Sequence, residues 1–474
     1  MKPQVVILGA GFAGHTAALH LARLAKNKAD ITVIAPKNRF TWFPSLIWVG
    51  TGAMSAEETV FALAPVYEKI GVNYADARAT SIDLSAQRVH IQRAGGQSDT
   101  LAYDFLVNAT GPYLNFEGTP GLGPEHGTTL SVCSVEHAVS TRDSYLALIK
   151  DLKKGHRRRM VIGVGHPAAT CEGAGFEYLM NVHADLLRRG VRDLVDLTWI
   201  TNEPDFGDFG VDGIEARREG QLVRGAGLVR MILDESKIRP IAAAGVTKVE
   251  PGRISYEQVG EDPGTLEYDF AMLLPQFRGI PLTYFAGDKD VTQVMTVPSG
   301  FMKVDANYEP KGFEAYRAAD WPATYRSPEY ENVYAVGIAF ATPHPISKPK
   351  KTSSGLTVIA TAPRTGMASG IMGRVAAENI AEQLEGKPPT HHARMSEMPA
   401  ACIASMGKSL WSGSAASIIM VPVVRDFETY PEFGRDLNLC TLDVGLNGAW
   451  TKRLLHSAFL WKLQAKPGWH LIPE

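Results

Sequence analysis

Thiol chemistry has one well-placed candidate in this chain. Cys171 follows the glycine-rich turn Gly163-Val164-Gly165-His166-Pro167-Ala168 and stands six residues before a carboxylate, Glu177. A thiol near a helix N-terminus ionises more readily than a core thiol, and the thiolate is the nucleophile, so the placement favours covalent sulfur chemistry. A second thiol, Cys133, lies in Ser131-Val132-Cys133-Ser134-Val135-Glu136-His137-Ala138, with His137 close enough in sequence to tune it. Cys402 and Cys440 are expected to be dispensable. The four cysteines show neither C-x-x-C nor zinc-ligand spacing and are too few for a disulfide framework, so no metal site is expected.

These side chains need a scaffold, and the first stretch supplies its start. Gln4-Val5-Val6-Ile7-Leu8 runs directly into Gly9-Ala10-Gly11-Phe12-Ala13-Gly14, a strand followed by G-x-G-x-x-G and a helical segment, with a second strand at Ile31-Thr32-Val33-Ile34. In such a βαβ unit Gly9 makes the turn, Gly11 admits a pyrophosphate and Gly14 lets helix and strand pack closely. The acid that usually binds ribose after the second strand is missing; the chain reads Ala35-Pro36-Lys37-Asn38. That departure weighs against NAD at this site and favours permanently bound FAD, with Asn38 and backbone groups at the ribose. Read blandly, the same residues form a turn.

Tyr103 to Gly111 is a strand ending in Ala109-Thr110-Gly111, and Met160 to Ala168 gives a second strand and turn, G-x-G-x-x-A, with Leu197 to Thr201 as its next strand. A helix is expected over residues 55 to 69, and antiparallel strands between 72 and 92. Phe40 to Gly50 is a dense aromatic and apolar loop, suited either to core lining or to a wall against a flat ligand such as a flavin ring or a quinone. Pro343 to Gly355 reads as a solvated Pro/Ser/Lys loop.

With 474 residues, 45% of them hydrophobic and 21% charged, the chain suits a globular protein of two or three domains. A net charge of -2 gives no general preference for nucleic acid, and no nucleic-acid partner is expected. No signal peptide fits before the first strand and no apolar run is long enough to span a bilayer, which makes the cytoplasmic side the default. Near the end, Trp450, Leu454, Ala458, Trp461 and Ala465 recur at helical spacing, with Lys452, Arg453, Lys462 and Lys466 available to meet lipid phosphates. The same stripe would also serve as packing surface.

Taken together, the Phe40–Gly50 loop, the Cys133 segment, Cys171 with Glu177, Leu273-Leu274-Pro275-Gln276-Phe277-Arg278-Gly279, Val333-Tyr334-Ala335-Val336-Gly337-Ile338, Ala362-Pro363-Arg364-Thr365-Gly366-Met367 and Ala401-Cys402-Ile403-Ala404 resemble the sulfide:quinone oxidoreductase family over nearly the whole chain. Related flavocytochrome c sulfide dehydrogenase flavoproteins share the pattern. The resemblance implies an α/β fold of the flavin disulfide reductase type, with two Rossmann-like dinucleotide-binding domains and a C-terminal membrane-associating region. The expected division is 1–112 and 296–395 for FAD, 113–295 for the second domain, and 396–474 for quinone and membrane. FAD contacts are expected from Gly9, Gly11, Gly14, Pro36, Lys37, Asn38, Pro44, Ala79, Ala109, Thr110, Gly111, Gly337, Arg364, Thr365 and Gly366. Like the family, the chain has no acid after Gly337.

The implied activity takes electrons from sulfide, or a related small sulfur donor, into membrane quinone on a peripherally attached enzyme. Cys171 would carry the sulfur and react with the flavin, Cys133 would be the second sulfur with His137 beside it, Glu177 would move protons, and Arg364 would steady the reduced flavin. Two departures stand out: Ala360 replaces the family's cysteine before the Pro-Arg-Thr-Gly helix, and Asp208 stands where many members have histidine. A type II NADH:quinone oxidoreductase and a flavoprotein subunit docking on a cytochrome are the alternatives, and a homo-oligomer is left open.

Overall fold

A computed structural model describes residues 1–407, 411 and 413–474. The first βαβ unit is β1 (Gln4–Leu8), α1 (Phe12–Leu24) and β2 (Asp30–Ala35), with β1 and β2 parallel in register from Gln4↔Asp30 to Leu8↔Ile34. The long β3 (Asn73–Asp83) pairs parallel with β2 and then turns antiparallel against Arg88–Arg93, so the expected antiparallel excursion grows out of a sheet strand. On the other side of β1 lie β4 (Phe105–Asn108) and, beyond it, Val333–Ala335, both parallel.

This sheet therefore collects strands from both ends of a long insertion. Thr283–Ala286 already returns to it, pairing with β3, so the first sheet resumes before residue 296. Residues 55 to 69 do not form one helix. A 3-10 turn at Glu57–Thr59 leads into a short strand, Val60–Phe61, against Phe40–Thr41, and the helix begins only at Ala64. Pro65 sets that start, because proline fits the first helical turn and not the interior.

The insertion builds a second sheet from α2 (Val135–Leu152) onward: β5 (Arg158–Val164), β6 (Val195–Ile200), Arg239–Ile241 and β7 (Phe270–Leu274), all parallel. Between β5 and β6 runs α3 (Glu172–Arg188). After α4 (Gly366–Leu384), which packs on α1, the chain forms an antiparallel sheet of β8 (Ala400–Met406), β9 (Ser414–Met420) and β10 (Thr441–Gly445) and ends in α5 (Leu446–Leu463).

Candidate functional site

The two glycine-rich turns have different shapes. At the first, Gly11 is the N-cap of α1 with no side chain bonded across the helix end, and a Cβ on Gly11 would meet nothing within 4 Å. A Cβ on Gly14 would fall 2.1 Å from the Gly9 carbonyl oxygen. The turn is thus held tight on the protein side and open at a helix N-terminus, which is what a pyrophosphate requires. Ala109, Thr110 and Gly111 flank it, with the Asn108 side chain accepting from the Thr110 hydroxyl (2.8 Å) and donating to Tyr284 (2.9 Å). Gly337 lies over α1, where a Cβ would fall 2.8 Å from that of Ala13.

Pro36, Lys37 and Asn38 are exposed beyond the end of β2; the Asn38 oxygen accepts from Ala64 N at 2.7 Å, leaving its amide protons for a ribose. Ala79, further along β3, lies past the carboxyl end of β2, and Pro44 occupies the short turn Phe43–Ser45. The residues present fit FAD.

At the second turn a Cβ on Gly165 would fall 2.4 Å from Leu122 Cδ1, so a buried leucine covers the side a dinucleotide would approach. The Gly165 carbonyl accepts from Thr119 at 2.7 Å. No helix starts there either: α3 begins at Glu172, and the intervening residues carry the thiol. A strand-turn-helix read straight off the motif missed this insertion, which lacks the phosphate-facing helix end of the first unit.

Cys171 is the N-cap of α3 in the left-handed region, φ 74°, an unusual conformation for a residue with a Cβ and a feature that clusters at functional sites. Its expected ready ionisation is reversed. Burial pushes the thiol strongly up, Cys133, Glu172 and Cys402 add repulsion, and Arg364 alone among the named neighbours works the other way. Cys133 is pushed up to about 11 by burial against the pull of Ser131. His137 does not take the tuning role: its Nε2 lies 3.5 Å from Glu125 and its ring meets Phe116 edge-on. Ser131 is the group beside the thiol.

Arg364 is wedged between Phe301 and Phe340, 4.8 and 5.2 Å from the ring centroids, and donates to the Phe340 carbonyl at 3.0 Å. Burial lowers it to about 10, which leaves it charged at neutral pH. Thr365 then caps the start of α4 at Gly366, and Phe12 from the first turn lies 3.2 Å from where a Gly366 Cβ would stand. Arg364 thus stands beside the first turn and within electrostatic reach of the Cys171 thiol.

Glu177 lies elsewhere. It is buried in an ion pair with Lys452 of α5, 2.7 Å away, and accepts from the Ser405 amide at 3.0 Å. The acids behind Cys171 are instead Glu172, Glu203 and Asp208, all buried; burial raises Glu203 to about 8, Asp208 to about 6 and Glu172 well above the carboxylate range. Ser347, from the loop expected to be solvated, is buried and donates to Asp208.

Two of the basic residues expected at lipid phosphates turn inward, while Lys466 lies over the Trp461 ring. Lys452 meets Glu177, and Lys462 meets Glu474 at 2.7 Å. Beside Asn447 and Ser457, α5 exposes three large apolar side chains: Trp450 is 51% exposed, Leu454 67% and Trp461 46%. Ala465 is buried. Among the described residues no helix is long and apolar enough to cross a membrane, and no group of three or more His, Cys, Asp or Glu is arranged to hold a metal ion.

Residues 3–186 match the pyridine nucleotide-disulphide oxidoreductase family. The chain is 30% identical over 410 residues to sulfide-quinone reductase of Aquifex aeolicus, covering 86% of this chain and 82% of that protein. It belongs to the sulfide-quinone reductase family. The crystal structure of the Aquifex aeolicus enzyme superposes with a TM-score of 0.77 at 27% identity, covering 98% of this chain and 92% of that one. NDH2 of Plasmodium falciparum in complex with NADH shares the fold, at a TM-score of 0.65 and 13% identity, covering 99% of this chain and 97% of that one. Members of the family bind FAD, in keeping with the open first turn.

Proposed function

We propose that the chain is an FAD-dependent sulfide:quinone oxidoreductase working at a membrane surface, with Cys171 as the sulfur carrier. The observation that carries this reading is the grouping of Cys171, Cys133 and Arg364 beside the FAD cradle, on a second turn whose dinucleotide side is covered by Leu122. Hydrosulfide and the Cys171 thiol become a Cys171 persulfide, one S–S bond forming as one proton and two electrons leave. FAD held at the first turn by Gly9, Gly11 and Gly14 would supply the two-electron acceptor, with quinone as the onward oxidant. Arg364 holds positive charge where negative charge develops, in a buried setting that strengthens the interaction.

Cys133 is the second thiol near the carrier. Glu177 acts through the fold, fastening α3 to β8 and α5. The aromatic loop after β2 faces the quinone side: Trp42 stacks on Phe459 of α5 at 5.4 Å, and Phe43 is 46% exposed. The outward Trp450, Leu454 and Trp461 rest on the lipid surface, where tryptophan is at home.

The NADH:quinone reading is disfavoured by the covered Gly165 and the displaced helix start. Anaerobic addition of sulfide or NADH to the holoenzyme separates the two, since only the true donor bleaches the flavin's visible band.

A further inference from the structure

Ala360, where the resembling family keeps a cysteine, is fully buried and offers only a methyl group. Its neighbour Thr361 hydrogen-bonds Thr170 at 2.6 Å, so this segment does run alongside the carrier. The thiol missing from it is matched by one arriving from another direction. Cys402 lies on β8, which is strapped to α3 by Asn181 Nδ2 donating to the Ser405 carbonyl (2.7 Å) and by the Ser405 amide donating to Glu177. Its Sγ stands 3.5 Å from where a Cβ on Gly173 would be, in the first turn of the helix that Cys171 caps.

Gly173 adds no side chain of its own beside Cys402, and the other atom near that position is Phe209 Cδ1, at 3.7 Å. Cys171 and Cys402 are both partly buried, neither is in a disulfide, and Cys402 is among the groups that push the Cys171 thiol up. On the other side of Cys402, Lys452 reaches the Ile403 carbonyl at 3.0 Å; burial and the Glu177 carboxylate push the Cys402 thiol up to about 11, with the Lys452 ammonium opposing them.

We propose that Cys402 is the acceptor to which Cys171 passes its sulfur, occupying the part left vacant at Ala360. The step is an exchange without net oxidation. Cys402 sulfur attacks the outer sulfur of the Cys171 persulfide, the Cys171 S–S bond breaks as a new S–S bond forms on Cys402, and the proton lost by Cys402 ends on Cys171. The carrier is restored next to FAD, and product sulfur is moved to the strand side for release. This inference rests on the sulfide reading above.

The test is a persulfide map of the wild-type holoenzyme after anaerobic treatment with sulfide, alkylation and peptide mass spectrometry. Sulfane sulfur is expected on the Cys402 peptide, and in Cys402→Ser it should stay on the Cys171 peptide while the first sulfide still bleaches the flavin. In the sulfide-free protein, dibromobimane should join the Cys171 and Cys402 peptides. Sulfane sulfur on Cys171 but never on Cys402 in the wild type overturns the proposal and leaves the sulfide reading standing. No sulfane sulfur on any cysteine, with no bleaching, overturns both. The wild-type map decides even if Cys402→Ser folds poorly.

Discussion

Lys452 and Glu177 form a buried ion pair, the ammonium 2.7 and 2.8 Å from the two carboxylate oxygens, and this contact ties the last long helix to the helix that Cys171 caps. A buried pair tolerates joint replacement far better than the loss of one member, which strands a charge. Glu177→Gln or Lys452→Met alone should each cost about 3 kcal/mol of stability, and the double variant should recover much of it. Thermal unfolding of the three variants checks this. A stable Glu177→Gln enzyme that binds FAD yet turns over poorly would return Glu177 to a proton-transfer role.

The same contact changes what membrane attachment should depend on. With Lys452 and Lys462 turned inward, the proposed attachment would rest on the exposed apolar side chains of the last helix, Trp450, Leu454 and Trp461. Replacing Leu454 and Trp461 by Ser should weaken binding to neutral vesicles more than tenfold, since each buried apolar side chain contributes about 2 kcal/mol. Raised salt should matter little. Equal vesicle binding by the variant, with FAD retained, would assign this face to protein packing.

The cofactor cradle gives a sharper prediction. Because a Cβ on Gly11 would point into open space at the helix end, Gly11→Val should fold and lose FAD, the valine standing where the pyrophosphate must approach. Flavin content after purification, set beside circular dichroism, reads this directly. A yellow, fully loaded variant contradicts the cradle.

Buried acids behind Cys171 set a pH dependence. Glu203 is raised to about 8, by burial first and by Asp208, while Thr201 and the Phe209 amide hold it down. The folded state then keeps a proton that the unfolded chain releases at about 4.3, so this group's contribution to stability falls as pH rises toward 8. Wild type should lose about 2–4 kcal/mol relative to Glu203→Gln between roughly pH 5 and pH 8. Parallel stability curves for the two proteins would mean that Glu203 is charged throughout.

Much of this was legible in the chain, and the limits have physical causes. The first turn could be read because strand, glycines and helix are adjacent in sequence. Arg364, Cys133 and Cys171 stand out by their local motifs, and the fold brings them within electrostatic reach of one another. The second turn misled because G-x-G-x-x-A says nothing about Leu122, a residue some forty positions earlier that covers it. The surroundings of Cys402 and the inward turn of Lys452 are not legible in sequence, because helical spacing and motif position cannot report contacts between segments more than two hundred residues apart. Ionisation of Cys171 was misjudged for the same reason: a helix end favours the thiolate, but the burial that opposes it is tertiary.

The central claim is that sulfide, through Cys171, is the electron donor. Anaerobic titration of the FAD-loaded protein tests it, with Cys440→Ser as a control because Cys440 is buried against Val421, away from the turn. The account predicts that sulfide bleaches the flavin in wild type and Cys440→Ser, that Cys171→Ser with FAD bound is not bleached, and that NADH leaves all three yellow. Bleaching by NADH, or sulfide bleaching of Cys171→Ser at the wild-type rate, would contradict it.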